Sequence, residues 1–306
     1  MLTRVLRRVR RTTPPPPPRA GGYDGWLALL DDELAPVEAA CAAGERDMVA
    51  LFSGLGVDVW ALLLTQEYRA YPHIRALLPS VPEPALQERW NGLSGAPLAQ
   101  QSAAFYRLLR ERHDRPLADA RVLDFGCGWG RITRFLARDV PPERLCGCDP
   151  VESILDVCRE HRVPATLARS EFLPERLPFD EPFDLAYAFS VFTHLSEAAH
   201  ERCLSALYAG LRPGGTLVVT IRPPAYLQEA PLMAEVRDRA AEPYVFAPHM
   251  ADPSHPQYAG PEMHYGETVI ALPYVRERWG DRFELQHVDL LLGDLHQVVL
   301  TLRRRG

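Results

Sequence analysis

Two aspartates, each in a short apolar run, are the residues of this chain whose spacing best indicates chemistry. Asp124 precedes Gly126, Gly128 and Gly130, and Asp149 stands 23 positions after Gly126. Glycines let the backbone turn tightly and let a ligand approach the main chain without interference from a Cβ atom. The helix expected next offers unpaired N–H groups to an anion, and a carboxylate at a strand tip can accept hydrogen bonds from a ribose diol. The pattern therefore predicts a site for a nucleoside-like ligand.

The glycine spacing argues against a dinucleotide site. The dinucleotide fingerprint is G-x-G-x-x-G, in which the third glycine allows the helix to pack closely. Counted from Gly126, the place of that third glycine is occupied by Arg131, and a count from Gly128 fails as well. A nicotinamide oxidoreductase would need this other spacing.

Further segments follow in order and complete a family pattern. They are residues 183–185, 190–195, 211–215 and 296–299. Together with the G-x-G-x-G turn and the acid at position 149, they make the chain resemble the class I S-adenosylmethionine-dependent methyltransferases. The resemblance covers about residues 115–225 motif by motif and residues 270–303 more loosely.

This resemblance implies S-adenosyl-L-methionine as the cofactor and S-adenosyl-L-homocysteine as its product. It implies that Asp124 orients the methionine end of the cofactor, that Asp149 holds the ribose, and that Ser170 and Glu171 lie at the adenine. The full set of cofactor-binding residues expected on this basis is Asp124, Gly126, Cys127, Gly128, Gly130, Asp149, Pro150, Ser170, Glu171 and Ser190.

The elements that must position these residues alternate between strand and helix. Short β-prone runs and helical stretches follow one another from residue 121 to residue 221, which is typical of a parallel sheet covered by helices on both faces. We therefore expect an α/β fold with a doubly wound, Rossmann-like, mostly parallel seven-stranded sheet. An antiparallel terminal strand is expected near the end of the chain, because two strands there are joined by a short turn.

Three regions are expected along the chain. Residues 1–22 form a basic, proline-rich tail, residues 23–114 a helical N-terminal region, and residues 115–306 the Rossmann-like methyltransferase domain. Within that domain the alternation stops at about residues 222–268, which we expect to be a lid because long insertions of this kind are usually functional. The helical region either walls the substrate pocket or only packs against the core.

A histidine near the end of the fourth strand is the first candidate for catalysis. A sulfonium already activates its methyl group, so the protein has to hold the nucleophile in line with it and exclude water. If the nucleophile is a hydroxyl, a general base helps. We expect His194 in this role, since ligands bind beyond the carboxyl ends of strands. His264, Tyr265 and His296 are the other candidates.

Charge and composition narrow the partners. The chain carries a net charge of −6, and six arginines within residues 1–19 leave −12 on the rest, which is unfavourable for binding nucleic acid. No apolar run is long enough for a bilayer span. The tail is either a disordered spacer or a basic helix that touches a membrane surface weakly.

Two further expectations concern metal and redox state. His249, Asp252 and His255 lie among prolines that prevent a shared helical face, so no metal is expected. Six cysteines without a CxxC pair or a secretion signal indicate free thiols and a cytoplasmic protein.

The expected function is transfer of a methyl group by in-line displacement to a hydroxyl or amine of a small molecule, a sugar or another natural product. Two alternatives stay open. One is a non-catalytic binding or scaffold protein on the same fold, and the other is a lipid-modifying enzyme of the cyclopropane-synthase type. The oligomeric state is not predicted.

Overall fold

The structure is a computed structural model that describes residues 22–248, 258–259 and 262–306. Almost all of the N-terminal tail, together with His249, Asp252 and His255, lies outside the described residues.

The described helices and strands occur in the order that the alternation predicts. The α-helices are α1 Asp24–Leu27, α2 Asp31–Ala42, α3 Met48–Phe52, α4 Val57–Thr65, α5 Pro72–Leu77, α6 Pro84–Asn91, α7 Gly95–Arg112, α8 Arg131–Leu136, α9 Glu152–Glu160, α10 Glu197–Gly210, α11 Tyr226–Glu229 and α12 Leu272–Arg278. The strands are β1 Val122–Phe125, β2 Leu145–Asp149, β3 Thr166–Arg169, β4 Phe183–Ala188, β5 Leu211–Ile221, β6 Tyr244–Pro248, β7 Tyr258–Ala259, β8 Glu262–Met263, β9 Gly266–Ile270, β10 Phe283–Leu291 and β11 Asp294–Arg304. Short 3₁₀ helices cover Ala28–Leu30, Leu117–Asp119, Pro142–Arg144 and Pro231–Arg239.

One seven-stranded sheet forms the centre of the molecule, in the order β10-β11-β5-β4-β1-β2-β3. Strands β1 to β5 pair in parallel, whereas β11 pairs antiparallel with both β5 and β10. The predicted fold class is therefore confirmed, including the antiparallel strand near the end of the chain.

The two faces of the sheet bury alternate residues of its strands. Val122, Leu185 and Val218 belong to a core cluster that also contains residues of the N-terminal helices. Their successors along the chain belong to a second cluster, which includes residues of α10 and α12. Because successive side chains of a strand point to opposite faces, strands buried on both sides are apolar throughout.

The N-terminal helices are tied to the domain that carries the two aspartates. The indole Nε1 of Trp60 on α4 donates a hydrogen bond to the carbonyl oxygen of Phe135 on α8, at 3.2 Å. The guanidinium of Arg138 donates to the carbonyl oxygens of Phe52 and Ser53 at the end of α3. Helix α8 is therefore enclosed between the sheet and the N-terminal helices.

The segment after β5 contains more regular structure than its sequence pattern predicts. A helical piece is expected at residues 232–241, where the structure has the 3₁₀ helix Pro231–Arg239. The sequence pattern did not predict strands β6 and β9, which pair antiparallel, with Tyr244 opposite Ile270 and Pro248 opposite Gly266. This pairing joins residues far apart in the chain, and β9 is buried along its whole length, so no alternation marks it.

Candidate functional site

The glycine turn after β1 folds over the end of β2. Strands β1 and β2 are parallel neighbours, with Asp124 opposite Gly147. The backbone N–H groups of Gly126 and Cys127 donate to the carbonyl oxygen of Cys148, at 2.8 and 3.0 Å. The two aspartates therefore lie at the same edge of the sheet, on either side of this turn.

All three glycines of the turn are required by their backbone conformation, since Gly130 also has a φ angle of 75°. Gly126 and Gly128 have φ angles of 73° and 52°, in the left-handed region that favours glycine. A Cβ atom on Gly126 would lie 2.5 Å from Cγ2 of Val191, whereas the heavy atom nearest to a Cβ on Gly128 would be Cε3 of Trp90, at 3.8 Å. Gly126 thus allows close packing, and a Cβ on Gly128 would be in van der Waals contact with the indole of Trp90.

Asp124 is a buried carboxylate whose orientation is fixed by α8. Its Oδ2 atom accepts a hydrogen bond of 2.5 Å from the hydroxyl of Thr133. Burial raises the pKa of Asp124 to about 6, although Thr133 and the charge of Arg131 oppose this shift. The carboxyl group therefore ionises close to neutral pH, where a cationic ligand group would stabilise its charged form.

Asp149 is held by backbone donors on both sides. Its Oδ2 accepts from Gly128 N at 3.0 Å and its Oδ1 from Val151 N at 2.9 Å. Burial raises the pKa of Asp149 to about 6, although these two hydrogen bonds lower it. A carboxylate has about four acceptor positions, so lone pairs remain for two ligand hydroxyls.

Both aspartates line a single cavity of about 640 Å³. This volume lies within the range of roughly 300–1,000 Å³ that is typical of small-molecule sites. The predicted site residues that line it are Asp124, Gly126, Cys127, Gly128, Asp149, Pro150, Ser190, His194, Tyr265 and His296. The cleft is therefore open between the two carboxylates.

Four of the predicted residues are absent from the lining of this cavity, as far as the described part of the chain shows. Gly130 allows the turn to pack closely against Val163, because a Cβ on Gly130 would lie 2.9 Å from Cγ2 of Val163. Ser170 is buried and its N–H donates to the carbonyl oxygen of Asp149. Glu171 is exposed, and the next residue, Phe172, lines the cavity instead.

His264 does not reach the cavity. Its Nδ1 lies 2.7 Å from the hydroxyl of Ser196, the residue that caps the N-terminus of α10. Its position in the sequence did not show that the ring turns toward α10, and this geometry does not support the predicted catalytic role.

Ser190 follows β4 in a strained conformation that its neighbours stabilise. Its φ angle is 60°, which is uncommon for a residue other than glycine. Its N–H donates to the hydroxyl of Thr220 at 2.7 Å, and its own hydroxyl lies 3.1 Å from that of Thr193. The side-chain amide of Gln297 donates to the same hydroxyl at 3.0 Å. Strain that is held in this way is typical of functional sites.

His194 has protein partners at both ring nitrogens. Nδ1 lies 2.8 Å from the carbonyl oxygen of Gly266, and Nε2 lies 3.3 Å from Nη2 of Arg222. A carbonyl can only accept, so the ring carries hydrogen on Nδ1 and presents a lone pair at Nε2. The ring stacks on Tyr265 with 5.0 Å between centroids and 14° between planes.

A buried ion pair next to His194 was not predicted from the sequence. The guanidinium of Arg222 contacts the carboxylate of Glu267 and donates to the carbonyl oxygen of Thr193 at 2.9 Å. Tyr226 donates its hydroxyl to Glu267 at 2.7 Å and lies under the guanidinium of Arg222. Arg222 directly follows β5, so it could have been predicted, because ligands bind beyond the carboxyl ends of strands. Glu267 could not be found, because it reaches the site only through the pairing of β6 with β9.

The described residues contain no group of three or more His, Cys, Asp or Glu side chains that could hold a metal ion. Within the same residues, no helix is long and apolar enough to cross a membrane. All six cysteines lie in the described part of the chain, where they are buried and form no disulfide.

Residues 122–215 match the sequence profile of the family described as "Methyltransferase domain". The match includes β1 to the start of β5 and both aspartates. It confirms the predicted resemblance of this part of the chain to the class I S-adenosylmethionine-dependent methyltransferases.

The chain is also similar in sequence to curated proteins and in fold to solved structures. A trans-aconitate 2-methyltransferase of Variovorax paradoxus (strain S110) is 32% identical over 126 residues, 38% of this chain and 48% of that protein. A carboxy-S-adenosyl-L-methionine synthase of Yersinia enterocolitica is 27% identical over 121 residues, 37% of this chain and 44% of that protein. The chain thus spans about half the length of these relatives. A solved S-adenosylmethionine-dependent methyltransferase from Mesorhizobium loti has a TM-score of 0.49 and 21% identity, covering 67% of this chain and all of that one.

Proposed function

We propose that this protein is an S-adenosylmethionine-dependent methyltransferase that acts on a hydroxyl or amine of a small molecule. One observation carries the proposal: the carboxylates of Asp124 and Asp149 open onto one cavity of about 640 Å³, on either side of a glycine turn. Two carboxylates spaced along one cleft suit a ligand that has a cationic amino acid end and a ribose diol.

The residues present fit this cofactor. Gly126, Cys127 and Gly128 expose the turn to the cavity, and Asp149 keeps acceptor positions for two hydroxyls. An apolar wall suited to the adenine consists of Pro150, Val151 and Phe172. We assign the adenine to this wall, in place of the predicted contacts from Ser170 and Glu171.

When bound, the cofactor supplies an electrophilic methyl group on its sulfonium. The protein has to place the nucleophile on the far side of that methyl group and to keep water away. The other half of the cavity is formed by residues from four separate segments. These residues include Ser190, His194, Arg222, Tyr226, Tyr265, His296 and Gln297.

His194 is the residue that we assign as general base. Its Nδ1–H is held by the carbonyl oxygen of Gly266, which leaves Nε2 as the basic atom. An acceptor hydroxyl would replace the long contact of 3.3 Å between Nε2 and Arg222. Burial raises the pKa of Tyr265, so its phenol stays protonated at neutral pH and can donate a hydrogen bond but cannot act as the base.

Relatives support a small acceptor. Several of the curated matches carry the name trans-aconitate 2-methyltransferase, which describes a small organic acid as the acceptor of those proteins. The buried Arg222 is paired with Glu267 in this chain, which offsets its charge. We therefore assign a neutral hydroxyl or amine as the methylated group here.

The test is a transfer assay with labelled S-adenosylmethionine and pools of small hydroxyl, amine and carboxylic acid compounds. We expect S-adenosylhomocysteine to form together with one compound that has gained a methyl group. His194→Gln should lower kcat more than it raises KM, because it removes the base but keeps a polar side chain. Binding of the cofactor without transfer to any pool would instead favour the scaffold alternative.

A further inference from the structure

One aromatic side chain from the N-terminal helices lies beside the glycine turn and lines the same cavity. Trp90 lies in the last turn of α6, and residues 88–92 all line the cavity. Its Cε3 atom is the heavy atom nearest to the position that a Cβ on Gly128 would occupy, at 3.8 Å. The indole therefore lies next to the turn at Gly128, on the wall of the cavity.

The end of α6 is fixed in this position by hydrogen bonds. The indole Nε1 of Trp129 donates to Oδ1 of Asn91, the only asparagine of the chain, at 2.8 Å. The side chain of Gln87 donates to the carbonyl oxygen of Pro82 at 2.7 Å and accepts from the N–H of Gly95 at 3.2 Å. Because both ends of α6 are tied down, the place of Trp90 does not depend on a ligand.

Trp90 is nevertheless 38% exposed, whereas Trp129 is 4% exposed and Trp60 is fully buried. The exposed part of such a large apolar side chain is not stabilised by contacts within the protein. Its surface would be covered by whatever occupies the cavity between Asp124 and Asp149.

The order of chemical groups in the cofactor identifies what would lie there. The sulfonium stands between the ribose and the amino acid end of the cofactor. Gly128 lies in the turn that follows Asp124, and its N–H donates to Asp149 at 3.0 Å, so Trp90 lines the same cavity as both aspartates. Indole faces attract cations within about 6 Å, and tryptophan is the best of the aromatic side chains in this respect. The carboxylates of Asp124 and Asp149 line the same cavity and would also attract a cation there.

We propose that Trp90 recognises the positive charge of the cofactor's sulfonium and thereby makes the site prefer S-adenosylmethionine to the neutral product. This inference rests on the proposed function. When the methyl group is transferred, the sulfonium loses its charge and its attraction to Trp90, which favours release of the product. The N-terminal helices would thereby contribute to turnover.

The experiment compares three ligands by calorimetric titration: S-adenosylmethionine, S-adenosylhomocysteine and sinefungin, which carries an amine in place of the sulfonium. The variants are Trp90→Leu and Trp90→Phe, with Trp26→Leu as the matched control because Trp26 is 67% exposed and does not line the cavity. We expect Trp90→Leu to weaken the two cationic ligands about tenfold and the neutral one less than about threefold. Trp90→Phe should recover most of the loss, and Trp26→Leu should bind like the native protein.

Unchanged binding of S-adenosylhomocysteine would also show that Trp90→Leu folds correctly. Equal weakening of all three ligands, or no weakening of any, would overturn the inference, because Trp90 would then be an apolar cover or a bystander. Failure of the native protein to bind any of the three would instead refute the proposed function.

Discussion

At Asp124 and Asp149, burial changes the pKa of the carboxyl groups that we assign to the cofactor. Each carboxyl group is almost fully buried, and burial raises the pKa of each to about 6. Keeping either group charged therefore costs free energy in the empty site, and a cationic ligand offsets that cost. The chemistry of these two positions could be predicted from the sequence, because the acids end strands next to a glycine turn. The hydrogen bonds from Thr133 and Val151, which oppose this rise in pKa, could not.

The raised pKa values predict that cofactor affinity depends on pH. The ligand favours the charged carboxylates, so affinity should fall as the pH falls through about 6 and both groups take up protons, and it should level off above about pH 7. Binding near pH 6 should release protons to the buffer. Calorimetry with S-adenosylmethionine between about pH 5 and pH 8 measures both effects. A flat profile across this range would contradict the assignment of these carboxylates to the cofactor.

Substitution of Asp149 separates its two tasks. Asp149→Ala removes the acceptor for the ribose and for the N–H groups of Gly128 and Val151, so we expect cofactor binding to weaken by about 1–3 kcal/mol. Asp149→Asn should weaken it less, because one carbonyl oxygen remains. The matched control is Asp156→Asn on the exposed side of α9. Unchanged affinity in Asp149→Ala would show that β2 does not end at the ribose.

At the scale of elements, local patterns predict the parallel sheet well and the segment after β5 poorly. Strands β1 to β5 and helices α8 to α10 all lie within residues 121–221, where the alternation is predicted, because each has its own apolar periodicity. Strands β6 and β9 are stabilised by each other, and β9 brings Glu267 to Arg222. No local signal could show that these two residues meet. We propose that this paired segment is the expected lid.

The ion pair should matter for stability because both partners are buried. Glu267→Gln leaves the charge of Arg222 without its partner, and loss of one member of a buried pair costs about 3–5 kcal/mol. We expect a clear fall in the midpoint of chemical unfolding. The control is Glu242→Gln, which breaks the exposed pair with Arg239 and should leave the midpoint unchanged. Equal effects of the two substitutions would contradict the account of this pair.

At the scale of the whole molecule, the N-terminal helices and the sheet share one apolar core. Leu27, Phe52 and Trp60 belong to the same cluster as Val122 and Leu185. Helical periodicity predicted that this region is helical, but it could not decide between a pocket wall and a packing layer. In the structure α6 lines the cavity while α3 and α4 pack on α8. The region therefore packs against the core, and we propose that α6 also forms a wall of the substrate pocket.

This shared core predicts a single unfolding transition. Because α8 is enclosed by the N-terminal helices, a chain that begins at residue 115 should expose Phe135 and its neighbours and should fail to fold stably. Scanning calorimetry of the whole protein should show one cooperative transition, with equal calorimetric and van't Hoff enthalpies. Two separate transitions would contradict the prediction and would make residues 23–114 an independent domain.

The most direct test of the account is a crystal structure of the protein with S-adenosylhomocysteine bound. We predict one molecule of the ligand in the cleft, with its ribose hydroxyls on the carboxylate of Asp149 and its amino acid end toward Asp124. A ligand bound elsewhere, or one that contacts only one of these two aspartates, would contradict the central claim that they hold opposite ends of a single cofactor.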